Sequence, residues 1–291
     1  MIMRKIWLVT TDHLEEELWF RDEEDFKVGM NFVAIQAACS PGVNVLAFIL
    51  MSNHVHFVLK GTRGDVEEYV GQFRHRYSRY MQHRWGVRAL LRGNGVQIKE
   101  IPYDDEAVER AVAYVQMNCV AANICSHPSQ YPWGTGNLFF NQTKVSGALL
   151  KDLSARGRER MLHTNAANLP GYWHLGPEGY ILPQEYVDVQ VVEAIFRTPK
   201  RMNYFLASSS KARKKLETDD NLPAFRDQII LVALPDLLRS LFGKESFVAL
   251  SEHEQAEFMR QIHFRFSADV HQIARVCGLT YAAAARVLDC G

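Results

Sequence analysis

The chain has 291 residues, 47% hydrophobic and 23% charged, the balance of an ordinary globular protein of one to three domains. Its longest apolar run, around Val45 to Met51, falls far short of the ~20 residues that a membrane span needs, and the N-terminus lacks the apolar core of a secretory leader. Lys+Arg and Asp+Glu balance at 33 each, yet the charges are segregated. Asp12 to Asp25 holds eight acids and one Arg, Tyr69 to Ile98 holds six Arg and no acid, and Ala194 to Leu216 holds seven Lys or Arg and no acid. A single basic stripe is commonly a solvated helix face; two without compensating acids point to a polyanion partner. Five scattered cysteines (Cys39, Cys119, Cys125, Cys277, Cys290) show no zinc-finger spacing and are expected to be reduced cytoplasmic thiols.

Lys5 to Thr11 (KIWLVTT) reads as a strand, and Glu24 to Cys39 as a helix broken by Pro41-Gly42. Val43 to Lys60 (VNVLAFILMSNHVHFVLK) is two apolar runs around the break Ser52-Asn53, which predicts an antiparallel hairpin. A helix follows, with Asp65 as its expected cap and Gly86 as its stop. Phe73, Tyr77, Tyr80 and Met81 mark its buried side, and Arg74, Arg76, Arg79 and Arg84 are candidates for phosphate contacts. Val96 to Ile101 alternates as a strand that carries Lys99, and Asp104 caps a helix from Asp105 to about Ala122. This order predicts an α+β fold, a ferredoxin-like antiparallel sheet with flanking helices.

Beyond it, Cys125 to Phe140 is turn-rich and closes a first domain of residues 1–145. Lys144 to about Thr164 is expected to be helical, Pro170 to Pro183 a loop or arm, and Val187 to Phe196 and Met202 to Leu216 helical. These make an extension over 146–222, with Asp219 to Pro223 as its boundary. A mostly helical domain over 223–291 ends in a helix-turn-helix-like pattern with Gly278 in the turn. That pattern is read equally as a DNA-reading motif or a small helical hairpin, because its second helix is rich in Ala and poor in base-reading side chains.

His54 and His56 stand two apart in the hairpin, so in a strand they share a face. Tyr114 and Asn118 stand four apart in the following helix and share a face too. On spacing alone the ordinary readings are favoured: a core pair, a half-buried aromatic and a helix-end polar residue. If the helix face packs over the histidine-bearing edge, two imidazoles and one amide oxygen converge as neutral ligands. They would leave positions open on an oxygen-seeking cation such as Mg2+ or Mn2+, with Tyr114 as a nucleophile beside it.

MSNHVHFVL closely resembles the M-P-N-H-V-H signature of the single-tyrosine HUH transposases, the insertion-sequence and REP-associated tyrosine transposases. YVQMNCVAANI resembles the family's Y-x-x-x-N-P helix, LWFRDEEDF its early acidic stretch, and YPWGT its closing Y-x-W-S-S. Ser52 and Cys119 stand where the family usually has Pro, and Gln97 and Lys99 lie in a strand that is more aromatic in many relatives. The resemblance covers roughly Met1 to Phe140. It implies that His54, His56 and Asn118 hold Mg2+ or Mn2+, that Tyr114 forms a 5′-phosphotyrosine link, and that the partner is single-stranded or hairpin DNA. It also implies a bacterial cytoplasmic, nucleoid-associated setting and a homodimer. Two other readings remain beside it, a non-catalytic nucleic-acid-binding regulator and a metal hydrolase that uses water.

Overall fold

Strands β1 (Lys5–Thr11), β2 (Asn44–Met51), β3 (His54–Gly61) and β4 (Val96–Ile101) form one antiparallel sheet in the order β2-β3-β1-β4. The computed structural model describes residues 4–12, 18–87, 95–102, 104–122, 124–141, 146–163, 169–216, 227–266, 268 and 270–289. Helices α1 (Glu23–Cys39) and α2 (Arg63–Trp85) pack on one face of the sheet. There Trp7, Val9, Val55, Phe57 and Leu59 meet Met30, Val33, Tyr69, Phe73 and Tyr77. Burying each such aromatic or aliphatic side chain contributes about 1.5–3 kcal/mol. The fold is therefore α+β, and the strand and helix order is the one that the apolar periodicities predict.

Local chemistry sets the helix ends. Asp22 caps α1 by accepting from Asp25 N at 3.0 Å, and Glu23, Glu24 and Asp25 suit the positive end of the helix dipole. The cap of α2 is Thr62, not Asp65. Thr62 Oγ1 accepts from Asp65 N at 3.2 Å and donates to the Asp65 carboxylate at 2.6 Å, a reciprocal arrangement that three-residue spacing allows. Gly86 stops α2 at φ 69°, a left-handed conformation that glycine adopts without strain.

The free edge of β2 is covered by its own chain. Leu50 N donates to Trp133 O at 2.8 Å, Thr135 N to Phe48 O at 3.0 Å, and Asp188 N to Val45 O at 2.8 Å. The YPWGT stretch thus blunts an edge that would otherwise pair with another molecule.

The chain divides into two compact units, Met1–Asn118 with His127–Leu216, and Cys119–Ser126 with Glu217–Gly291. The stretch expected as a separate extension over 146–222 belongs to the first unit as far as Leu216, because its apolar residues Leu150, Leu162, Trp173, Ile181 and Val187 share the core of the sheet. The helix expected over 144–164 is confined to α4 (Ala155–Leu162). Ahead of it β5 (Ala148–Leu149) pairs with β6 (His174–Leu175), and Ser154 caps the helix. The expected arm at 170–183 folds back, with Ile181 N donating to Asn31 Oδ1 at 2.9 Å. Helices α5 (Val189–Phe196) and α6 (Pro199–Leu216) complete this unit, and the boundary expected at 219–223 lies outside the described residues.

The second unit has its own core. Helices α7 (Asp227–Phe242), α8 (Glu252–Phe266), α9 (Val270–Cys277) and α10 (Tyr281–Asp289) bury Ile230, Leu238, Phe258, Ile262, Ile273 and Ala284 together. Gly278 turns the chain between α9 and α10 at φ 68°, and Thr280 Oγ1 accepts from Ala283 N at 3.3 Å at the start of α10. Among the described residues no helix is long and apolar enough to cross a membrane.

Candidate functional site

Side chains alternate along β3. Val55, Phe57 and Leu59 enter the core under α1 and α2, so His54, His56 and Val58 occupy the opposite face. Helix α3 (Asp105–Ala121) lies on that second face. The Tyr114 ring meets His56 edge-on with centroids 5.4 Å apart, and the His54 and His56 rings are 4.7 Å apart at 89°. His54 and His56 are 3% and 1% exposed, whereas Tyr114 is half-buried.

Two contacts hold α3 in place, and a third lies within it. Gln116 Nε2 donates to Thr135 O at 2.9 Å, which ties the helix to the segment along β2. The buried Glu109 carboxylate is gripped by the Arg201 guanidinium of α6 through Nε and, at 2.7 Å, through Nη2. Asn118 Nδ2 donates to Tyr114 O at 2.9 Å within the helix.

The β2–β3 turn that launches His54 is held as well. Trp19 N and Phe20 N both donate to Ser52 O, at 2.7 and 3.0 Å. Asn53 Oδ1 lies 2.9 Å from His54 Nδ1, and Thr10 Oγ1 lies 3.0 Å from His56 Nδ1. An amide oxygen can only accept, so this contact pairs Asn53 Oδ1 with an Nδ1–H form of the His54 ring.

Among the described residues no group of three or more His, Cys, Asp or Glu is placed to hold a metal ion. Two imidazoles held at Nδ1 stand side by side on this face, donor types that a divalent cation accepts, and Asn118 lies one helical turn beyond Tyr114 on α3.

The basic candidates separate. Thr10 faces His56 across β1–β3 and Gln97 across β1–β4, and one step along Leu8 faces Val58 and Lys99. Lys99 is therefore exposed on the same sheet face as the histidines. Arg74, Arg76, Arg79 and Arg84 all belong to α2, which packs on the other face. Positions 74 and 76 project about 200° apart around a helix, so the four do not make one stripe. Burial lowers the Arg74 guanidinium pKa, and the charge of Asp12 opposes that shift. Arg76 lines a cleft of about 330 Å³ with Gln36, Asp65, Glu68 and Gln72. Arg79 is exposed.

Arg84 is committed to the fold. It donates to Asp22 at 2.8 and 2.9 Å, to Tyr80 Oη at 3.0 Å and to the fully buried Asp25. These bonds hold its pKa above the ordinary guanidinium value. The acidic stretch that precedes α1 explains this. Asp25 also accepts from Tyr80 Oη at 2.9 Å, Arg21 N at 2.9 Å and Trp85 Nε1 at 3.1 Å, and a buried carboxylate needs such partners.

The sequence pattern singled out His54, His56 and Tyr114, and these meet. It did not single out Thr10, Gln116 or, as more than a break, Asn53. The available signal was positional: Asn53 adjoins His54, and Gln116 falls between Tyr114 and Asn118.

No protein-family model matches the chain, and no curated protein matches it. Among solved structures, the chain is similar to a REP-associated tyrosine transposase bound to a REP hairpin, at 14% identity and a TM-score of 0.33 over 46% of this chain and 77% of that one. It is also similar to TbtD, the pyridine synthase from thiomuracin biosynthesis, at 17% identity and a TM-score of 0.23 over 99% of this chain and all of that one. At these scores neither likeness says what the chain does.

Proposed function

We propose that the first unit is a DNA transposase, or a transposase-derived single-stranded DNA endonuclease and strand transferase, of the single-tyrosine HUH class on a ferredoxin-like sheet. The observation that supports this reading is the meeting of Tyr114 with His56, and of His56 with His54, on one sheet face at ring separations of 5.4 and 4.7 Å. Motifs about sixty residues apart in the sequence are joined there within one unit.

In this reading a single-stranded or hairpin DNA backbone approaches over the face that carries Gln97 and Lys99. Tyr114 Oη attacks the scissile phosphorus in line. The Oη–P bond forms, the P–O3′ bond breaks, and the 5′ side stays linked to the protein. The phenol gives up its proton and the departing 3′ oxygen takes one up, so charge balances. A second 3′-hydroxyl can reverse the step and rejoin strands. A phenol has a pKa near ~10, so its ionisation needs a positive neighbour. A Mg2+ or Mn2+ bound by His54, His56 and Asn118 would supply that charge and neutralise the phosphate oxygens. The chain's own contribution is positioning: α3 fixes the phenol, and β3 fixes the imidazoles.

The burial of both histidines favours a second reading, a non-catalytic DNA-binding regulator. Labelled hairpin DNA incubated with the protein and Mn2+ separates the two. The transferase yields a covalent band on a denaturing gel that Tyr114→Phe abolishes while binding persists. A band that survives Tyr114→Phe would remove Tyr114 as nucleophile, and no band across varied hairpins would favour the regulator.

A further inference from the structure

We propose that Thr10 and Asn53 are positioning residues for a divalent-cation site on His54 and His56, an inference that rests on the reading above. Each imidazole is held at Nδ1 by a side-chain oxygen from a different part of the fold. Asn53 acts from the β2–β3 turn at 2.9 Å, and Thr10 acts from the neighbouring strand at 3.0 Å. Asn53 Oδ1 requires the Nδ1–H tautomer of His54. The Thr10 hydroxyl can donate or accept, and a cation on His56 Nε2 requires it to accept from His56 Nδ1–H. Both rings then present Nε2 as a lone-pair donor, on neighbouring imidazoles whose centroids lie 4.7 Å apart.

The fold does not demand the Thr10 hydroxyl. Valine has the same branched shape and suits a strand as well, and the Thr10 side chain is only half-buried. The turn is likewise held without the Asn53 amide, because Trp19 N and Phe20 N anchor Ser52 O. What the two oxygens supply is ring orientation and tautomer. Losing that kind of contact typically weakens metal affinity 10–100-fold.

The test uses the full chain without DNA. Mn2+ is titrated and the free ion is followed by electron paramagnetic resonance, with circular dichroism as the check on folding. Thr10→Val and Asn53→Ala are expected to weaken Mn2+ binding by roughly 10–100-fold, with Thr10→Ser and Asn53→Asp close to wild type. Nitrogen-15 imidazole spectra of the metal-free protein give an independent readout. His54 and His56 are expected as Nδ1–H tautomers, and Thr10→Val shifts only His56.

Unchanged affinity in Thr10→Val and Asn53→Ala, or an Nε2–H tautomer at His56 in the wild type, overturns this inference while leaving the metal reading intact. A wild type that binds Mn2+ no better than the His54→Ala/His56→Ala double variant overturns both.

Discussion

Asp25 shows how a residue's role depends on what surrounds it. In the sequence it is one acid among eight between Asp12 and Asp25; in the fold it is fully buried, and Arg84, about sixty residues away, neutralises it. Removing one partner of a buried pair leaves an uncompensated charge. Arg84→Ala is therefore expected to destabilise the first unit by about 3 kcal/mol, read as a lower Tm, while the salt dependence of DNA binding stays as in the wild type. His54, His56 and Tyr114 could be chosen from sequence because strand and helix periods fix which residues share a face. The Thr10–His56 contact could not, because it depends on the register of two strands 46 residues apart.

At the scale of elements, the two faces of the sheet divide the labour. The face under α1 and α2 is a packed aromatic core, in which Phe57 lies 5.5 Å from Phe73 and 5.9 Å from Tyr69 between ring centroids. The other face carries the histidines and Lys99. Composition showed that α2 is rich in arginine, but not which sheet face it covers, and that determines whether its charges can meet a phosphate near Tyr114. If DNA follows the histidine face, Lys99→Ala reduces the slope of log K against log salt by roughly 0.7–0.9, the value of one phosphate contact, and Arg76→Ala leaves it unchanged. Equal slopes for Lys99→Ala and wild type would take the strand off β4.

At the scale of the whole chain, each unit has a separate hydrophobic core. Leu238→Ala, which opens a cavity in the second core, is expected to cost about 2–5 kcal/mol there. Calorimetry should show two transitions, of which one moves; Mn2+ affinity should not change. A single transition that shifts as a whole would mean that the cores melt together. The helix-turn-helix-like end was legible because Gly278 and the apolar spacing around it are local signals. The assignment of 146–216 to the first unit was not. It relies on contacts such as Asn31, whose amide donates to Met161 O and Gly179 O at 3.3 Å, 130 and 148 residues away.

Within the chain, the ring of Tyr114 lies beside that of His56, and that of His56 beside His54, in one unit. If each copy uses its own α3, the rings of a copy that lacks the phenol cannot complete the site of a copy that lacks the rings. Mixing Tyr114→Phe with the His54→Ala/His56→Ala variant should leave the preparation as inert as either parent, whatever its state of assembly. Rescue in the mixture would mean that neighbouring molecules trade this helix.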